Sequence, residues 1–212
     1  MANFRQMLPA LIAAAALTLV ACSTTTSGQP SSVGDLGSTN PSQSLPDLSR
    51  RVLTLADLGI GWAVDNSTGG NDPVSGCFSP AATISSALEG KEVQFKDNGA
   101  LPSLLETVAY FGSAPVRNFA AYVAVFNSCK HLTVTDSGHS ITINFGRMSF
   151  PKVGNQSAAF QGSSSYQGFA FALDFVIARV GNYIALIGYF DLGTPDVSAL
   201  ESLTTKAIAK LR

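Results

Sequence analysis

Three cysteines, Cys22, Cys77 and Cys129, and two histidines, His131 and His139, are the side chains of this 212-residue chain best suited to covalent or metal chemistry. Cys22 stands directly behind Leu19-Val20-Ala21, at the end of the uncharged run from Leu8 to Ala21, with Arg5 ahead of it. A membrane-spanning helix needs roughly 20 apolar residues, and this run is shorter. The segment therefore reads as a leader that is cleaved rather than as a span. A cysteine at the cleavage point turns that leader into a lipoprotein processing signal. Residues 1–21 are expected to be removed and Cys22 to be acylated on its thiol and its new amino group. Each buried CH₂ contributes about 0.8 kcal/mol, so two or more chains hold firmly. The expected location is the extracytoplasmic face of the cell membrane, with the membrane as partner through the lipid.

Acylation removes Cys22 from the thiol count. Cys77 and Cys129 then form an even pair in an oxidising compartment, where a disulfide is the default and closes a loop of about 50 residues. The competing possibility, a nucleophilic thiol assisted by His131 two residues from Cys129, needs an unpaired cysteine of low pKa. The histidines do not cooperate either. With Ser137-Gly138 as a two-residue turn, Val134 faces Ile141 and Leu132 faces Ile143 on one side of a hairpin. His131 then falls on the other side beside Asn144, while His139 sits at the turn, roughly 17 Å away. No metal site and no cofactor are expected. The Ser-rich stretch Gly162-Ser163-Ser164-Ser165-Tyr166-Gln167-Gly168 reads as a loop and lacks nucleophile-elbow spacing. No phosphate-binding loop, zinc-protease helix or dinucleotide fingerprint occurs. The chain is expected not to be an enzyme.

The elements that must position these residues follow from apolar periodicity. Ala56–Val64 reads as a helical turn running into a strand, with Trp62 as a core or rim anchor. Asn66–Pro80 reads as a loop stapled by Cys77, and Pro80–Leu88 as a short helix. Glu92–Lys96 alternates, and Leu104–Phe111 is apolar on both sides, as a central strand should be. Val116, Phe119, Ala120, Val123 and Phe126 recur at helical spacing, which predicts a helix ending at Cys129 with Ser113 as its cap. Gly181-Asn182 is a strong turn signal. It sets Phe171, Leu173, Phe175 and Ile177 beside Ile184, Leu186, Gly188 and Phe190, with Phe175 opposite Gly188. The other side of this hairpin carries Asp174, Val176, Tyr183, Ile187 and Tyr189. That side is either a second buried layer beneath a helix or loop, or the wall of a ligand groove in which these five residues touch the ligand. Thr194-Pro195-Asp196 opens a last helix whose stripe is Val197, Leu200, Leu203, Ala207, Ile208 and Leu211.

Composition excludes one large class of partner. Loss of Arg5 with the leader leaves a net charge of about −2, with no Lys/Arg-rich face, so nucleic acid is not an expected partner. Residues 22–47 form a tether rich in Ser, Thr, Gly and Pro that cannot bury enough surface to fold. Residues 48–212 are long enough for one domain with a sizeable core.

The leader, the Ser/Thr/Pro tether, the Phe150–Ala159 stretch, the Arg179-Val180-Gly181-Asn182 turn and the Thr194-Pro195-Asp196 helix start together resemble small lipoproteins of mycobacteria and related actinobacteria. The folded part is similar in layout to the extracellular sensor domain of a mycobacterial receptor serine/threonine kinase. That family has two disulfides around a cleft, whereas this chain can form one. The resemblance implies an α+β domain: a single, largely antiparallel sheet of five to seven strands with two main helices, 114–127 and 195–211, on one face. It further implies a non-enzymatic ligand-binding or sensor-like module for a small molecule or lipid. The alternatives are a lipid or glycolipid carrier, which needs a closed apolar cavity, and a hydrolase.

Overall fold

The computed structural model describes residues 45–66, 76–84, 87–97, 101–136, 139–166, 168–194 and 196–212. The leader, Cys22, the tether up to residue 44 and the Ser137-Gly138 turn lie outside the described residues. The strands are β1 (Trp62–Val64), β2 (Glu89–Asp97), β3 (Ser103–Tyr110), β4 (His131–Asp136), β5 (His139–Arg147), β6 (Gln156–Tyr166), β7 (Phe169–Val180) and β8 (Tyr183–Leu192), of which β3, β7 and β8 are buried on both faces, as central strands are. They form one antiparallel sheet in the order β1-β2-β3-β8-β7-β6-β5-β4. The helices are α1 (Leu55–Leu58), α2 (Pro115–Ser128) and α3 (Val197–Lys210), with 3₁₀ segments at Leu48–Arg50 and Gly76–Thr83.

Both hairpin registers follow the sequence arithmetic. Leu132 pairs with Ile143 and Val134 with Ile141, while Phe175 pairs with Gly188 and Asp174 with Tyr189. The sheet exceeds the expected five to seven strands because the Ser-rich stretch is not a loop. β6 runs through it to Tyr166. Gly162 is there because a β-carbon would stand 2.7 Å from a ring carbon of Phe145 and 3.1 Å from the Leu173 carbonyl oxygen. What looked like loop composition is a strand whose glycine leaves room for the Phe145 ring.

The expectation that both main helices share one face is corrected. The odd-numbered residues of β7 (Phe171, Leu173, Phe175, Ile177) are buried with Phe119, Tyr122, Val125 and Phe126 of α2. The even-numbered Val176 and Ala178 are buried with Leu200, Leu203, Ala207 and Ile208 of α3. Successive strand residues point to opposite faces, so the helices enclose the central strands from two sides. The helix starts also differ. Pro115 opens α2 behind Ala114, so Ser113 is not the cap, and Val116 is exposed. Asp196 caps α3 by accepting the Ala199 amide at 2.9 Å, so that helix begins at Val197.

Candidate functional site

The five residues expected to touch a ligand come together on one face, and that face is a buried layer. Asp174, Val176, Ile187 and Tyr189 are each at most 5% exposed. Tyr183, at the end of the face, is half-buried beneath the Arg51 guanidinium, 5.0 Å from the ring centre. α3 and the segment around Leu48, Val52 and Leu53 cover this layer. Neither carboxylate oxygen of Asp174 has a hydrogen-bond partner. Burial pushes its pKa up to about 6, and Gln161, its neighbour on β6, holds back part of the rise without reaching ordinary hydrogen-bond geometry. Burial likewise raises the Tyr189 hydroxyl to about 12.

Cys77 and Cys129 are joined by a disulfide, as expected. The bridge ties the C-terminal end of α2 to the 3₁₀ segment Gly76–Thr83, whose Phe78 packs against Phe126 and Phe145. His131 Nδ1 lies 2.8 Å from Asn144 Oδ1 on the exposed side of β4, and among the described residues no cluster suited to a metal ion occurs.

The accessible concave site lies elsewhere. A cleft of about 720 Å³ opens between residues 49–55 and the outer edge of the sheet. Val52, Leu53 and Leu55 line one wall, and Val64, Val93 and Phe95 of β1 and β2 line the other. Ser49, Thr54, Asp65, Asn66, Lys91, Glu92 and Gln94 supply the polar part of the lining. β1 is short and pairs with β2 only from Phe95 to Asp97, with one further backbone bond from Asp65 to the Gln94 carbonyl. Lys91 to Phe95 of β2 front the cleft.

Long-range contacts position the Leu48–Leu58 wall. Leu48, Val52 and Leu53 sink into the α3-side core. Arg51 donates to the carbonyls of Lys210 and Arg212 at 3.3 Å, at the end of α3 where backbone acceptors lack helical partners. Asp57 meets Lys210 at 2.8 Å and accepts from the amide and hydroxyl of Thr54, while Lys206 donates to the Asp57 carbonyl. Partial burial opposes ionisation of Asp57, but hydrogen bonds from Lys210 and Thr54 outweigh it and hold the carboxyl below its usual range. Behind the wall is Glu106 of β3, fully buried. Its Oε2 accepts the Leu53 amide at 2.6 Å, and its Oε1 has no partner. Burial pushes Glu106 up to about 7, against the opposing effects of the Leu53 bond and the nearby Lys210. Sequence reasoning took the strand around Glu106 as apolar on both sides. The signal it passed over was one acid within Leu104-Leu105-Glu106-Thr107-Val108-Ala109.

No family model matches the sequence. No curated protein matches it significantly. Among solved structures, the chain is similar to the extracellular domain of PknH from Mycobacterium tuberculosis, with a TM-score of 0.47 and 12% sequence identity. The alignment covers 57% of this chain and 63% of that one, so it spans less than two thirds of the neighbour.

Proposed function

We propose that this protein is an exported lipoprotein, anchored through acylated Cys22 to the extracytoplasmic face of the cell membrane. Its folded domain acts as a non-enzymatic, ligand-binding or sensor-like module. The observation that carries the binding role is the cleft between residues 49–55 and β2. It has the volume of a small-molecule site, and both walls offer it apolar and polar side chains together. The anchoring role draws support from the disulfide, which leaves Cys22 as the remaining cysteine of the chain. Such a cleft suits a small amphipathic molecule, with its apolar part against Leu55, Val64 and Val93 and its polar part toward Lys91 and Asp65.

Native mass spectrometry of the protein purified from its own host tests this reading. A stoichiometric small molecule lost on Val93→Arg supports it. A co-purified lipid that survives Val93→Arg would favour the carrier alternative, and no bound species at all would refute the binding role. Cys22→Ala should move the protein out of the membrane fraction, and retention there would refute the anchor.

A further inference from the structure

The wall formed by Leu48–Leu58 is fixed at its two ends and held in the middle by an unusual group. Arg51 grips the end of α3 at one side, and Asp57 grips Lys210 at the other. Between them the Leu53 amide rests on Glu106, a fully buried carboxyl with one oxygen engaged and one without any partner. A buried carboxylate with an unmatched oxygen is destabilising while the segment is seated, and lifting the segment would let water reach it. A neutral carboxyl in the same place carries a much smaller penalty.

We propose that Leu48–Leu58 is a strap whose seating is governed by the charge on Glu106: it closes onto the sheet when Glu106 is protonated and loosens when Glu106 is ionised. Ser49, Val52, Leu53, Thr54 and Leu55 belong to the strap, so its loosening dissolves one wall of the cleft. The ionisable groups around Glu106 do not reverse this sense. α1 contributes Asp57, whose charge disfavours ionisation of Glu106, and α3 contributes Lys210, which favours it. These two are themselves paired. From β2, the Cα partner of Glu106 is the apolar Val93, and the charged residues on that face are the exposed Lys91 and, at the two ends of the strand, Glu89 and Asp97. From β8, the Cα partner is Ile187. Asp57 stays ionised across the relevant range, so the two end contacts persist while the middle responds.

The direction follows from linkage. With the strap lifted, Glu106 is hydrated and titrates near 4.5; with the strap seated it titrates near 7. The seated state binds the extra proton. Seating is therefore favoured at low pH and weakens about tenfold per pH unit between those two values, then levels off above pH 7.

Hydrogen–deuterium exchange of the full-length protein from pH 5 to 8.5, corrected for intrinsic amide rates, reads this directly. Protection of the peptide containing Leu53 should lie below that of the β7 amides and fall by tenfold or more between pH 5 and 7, over and above the fall that titration of Asp174 imposes on β7 in the same interval. The E106Q protein should show no such fall. Strap protection that tracks β7 at every pH, or a fall that survives in E106Q, overturns the proposal. Should E106Q not fold, the wild-type comparison of strap and β7 decides alone. Control of a ligand by the strap rests on the binding role proposed above, whereas the strap's own motion does not. A flat exchange profile therefore defeats the strap, and an empty native spectrum defeats the binding role.

Discussion

Gly162 of β6 and Phe145 of β5 are Cα partners, and the ring sits where the glycine lacks a side chain: a β-carbon would lie 2.7 Å from Phe145 Cε1. Gly188 stands in a similar relation to Phe175, with its nearest ring atom at 3.0 Å. Neither ring is free to retreat, because Phe145 and Phe175 pack on each other and on Phe78 and Phe126. Gly162→Ala should destabilise the domain by about 1–3 kcal/mol in urea unfolding, as overpacked cores do. Gly188→Ala should cost less, since no backbone atom blocks its β-carbon. Equal midpoints for the two variants and the wild type would contradict this account.

Phe126 is the centre of the aromatic cluster, with Phe78 at 4.8 Å, Phe160 at 5.0 Å and Phe175 at 5.5 Å between ring centres. Phe126→Ala should cost about 3–5 kcal/mol, the usual penalty for a large core cavity. The exposed Val116 on the same helix offers the control: Val116→Ala should change stability by less than about 0.5 kcal/mol.

The Cys77–Cys129 bridge spans a sequence separation of 52 residues. Replacing both cysteines by serine should lower stability by about 2–4 kcal/mol, chiefly through a less constrained unfolded chain. Exchange protection should drop first at the end of α2 and in Gly76–Thr83, the two segments the bridge joins. Uniform loss across the sheet would mean that the bridge is not a local staple.

Asp174 imposes its own pH dependence. Its pKa is 3.8 in an unstructured chain and about 6 in the fold, so the folded state binds more protons and loses stability as pH rises through that interval. Asp174→Asn should remove that slope. The unfolding free energy of the variant relative to wild type, from urea titrations, should climb between pH 4 and 6 and stay level above, by up to about 3 kcal/mol. A difference that does not vary with pH would show that the carboxyl is hydrated after all.

The two hairpins were legible because a turn signal and a period of two fix a register completely: once Gly181-Asn182 is the turn, Phe175 must meet Gly188. The helices were legible as elements but not in their placement. β7 and β8 are apolar on both faces, so either helix stripe fits either side, and alternation says only that both sides are covered. β6 was misread because Gly162 and the serines after it carry loop composition, although the glycine answers to Phe145 across the sheet. The cleft was beyond local pattern altogether. It arises where the strap meets β2 some 40 residues on, and the contacts that set it, such as Leu53 to Glu106 or Arg51 to Lys210, join positions with no shared periodicity.

The grip of Arg51 on the last carbonyls of α3 joins positions 159 and 161 residues apart. The chain thus comes into the domain and reaches the end of α3 at one place on its surface. A domain built this way can be re-threaded: a short linker between the two places, with new ends cut at the Gly181-Asn182 turn, would leave every strand partner unchanged. It can equally sit as a module within a loop of a host protein, where the host's two connections would meet the domain side by side, next to Arg51.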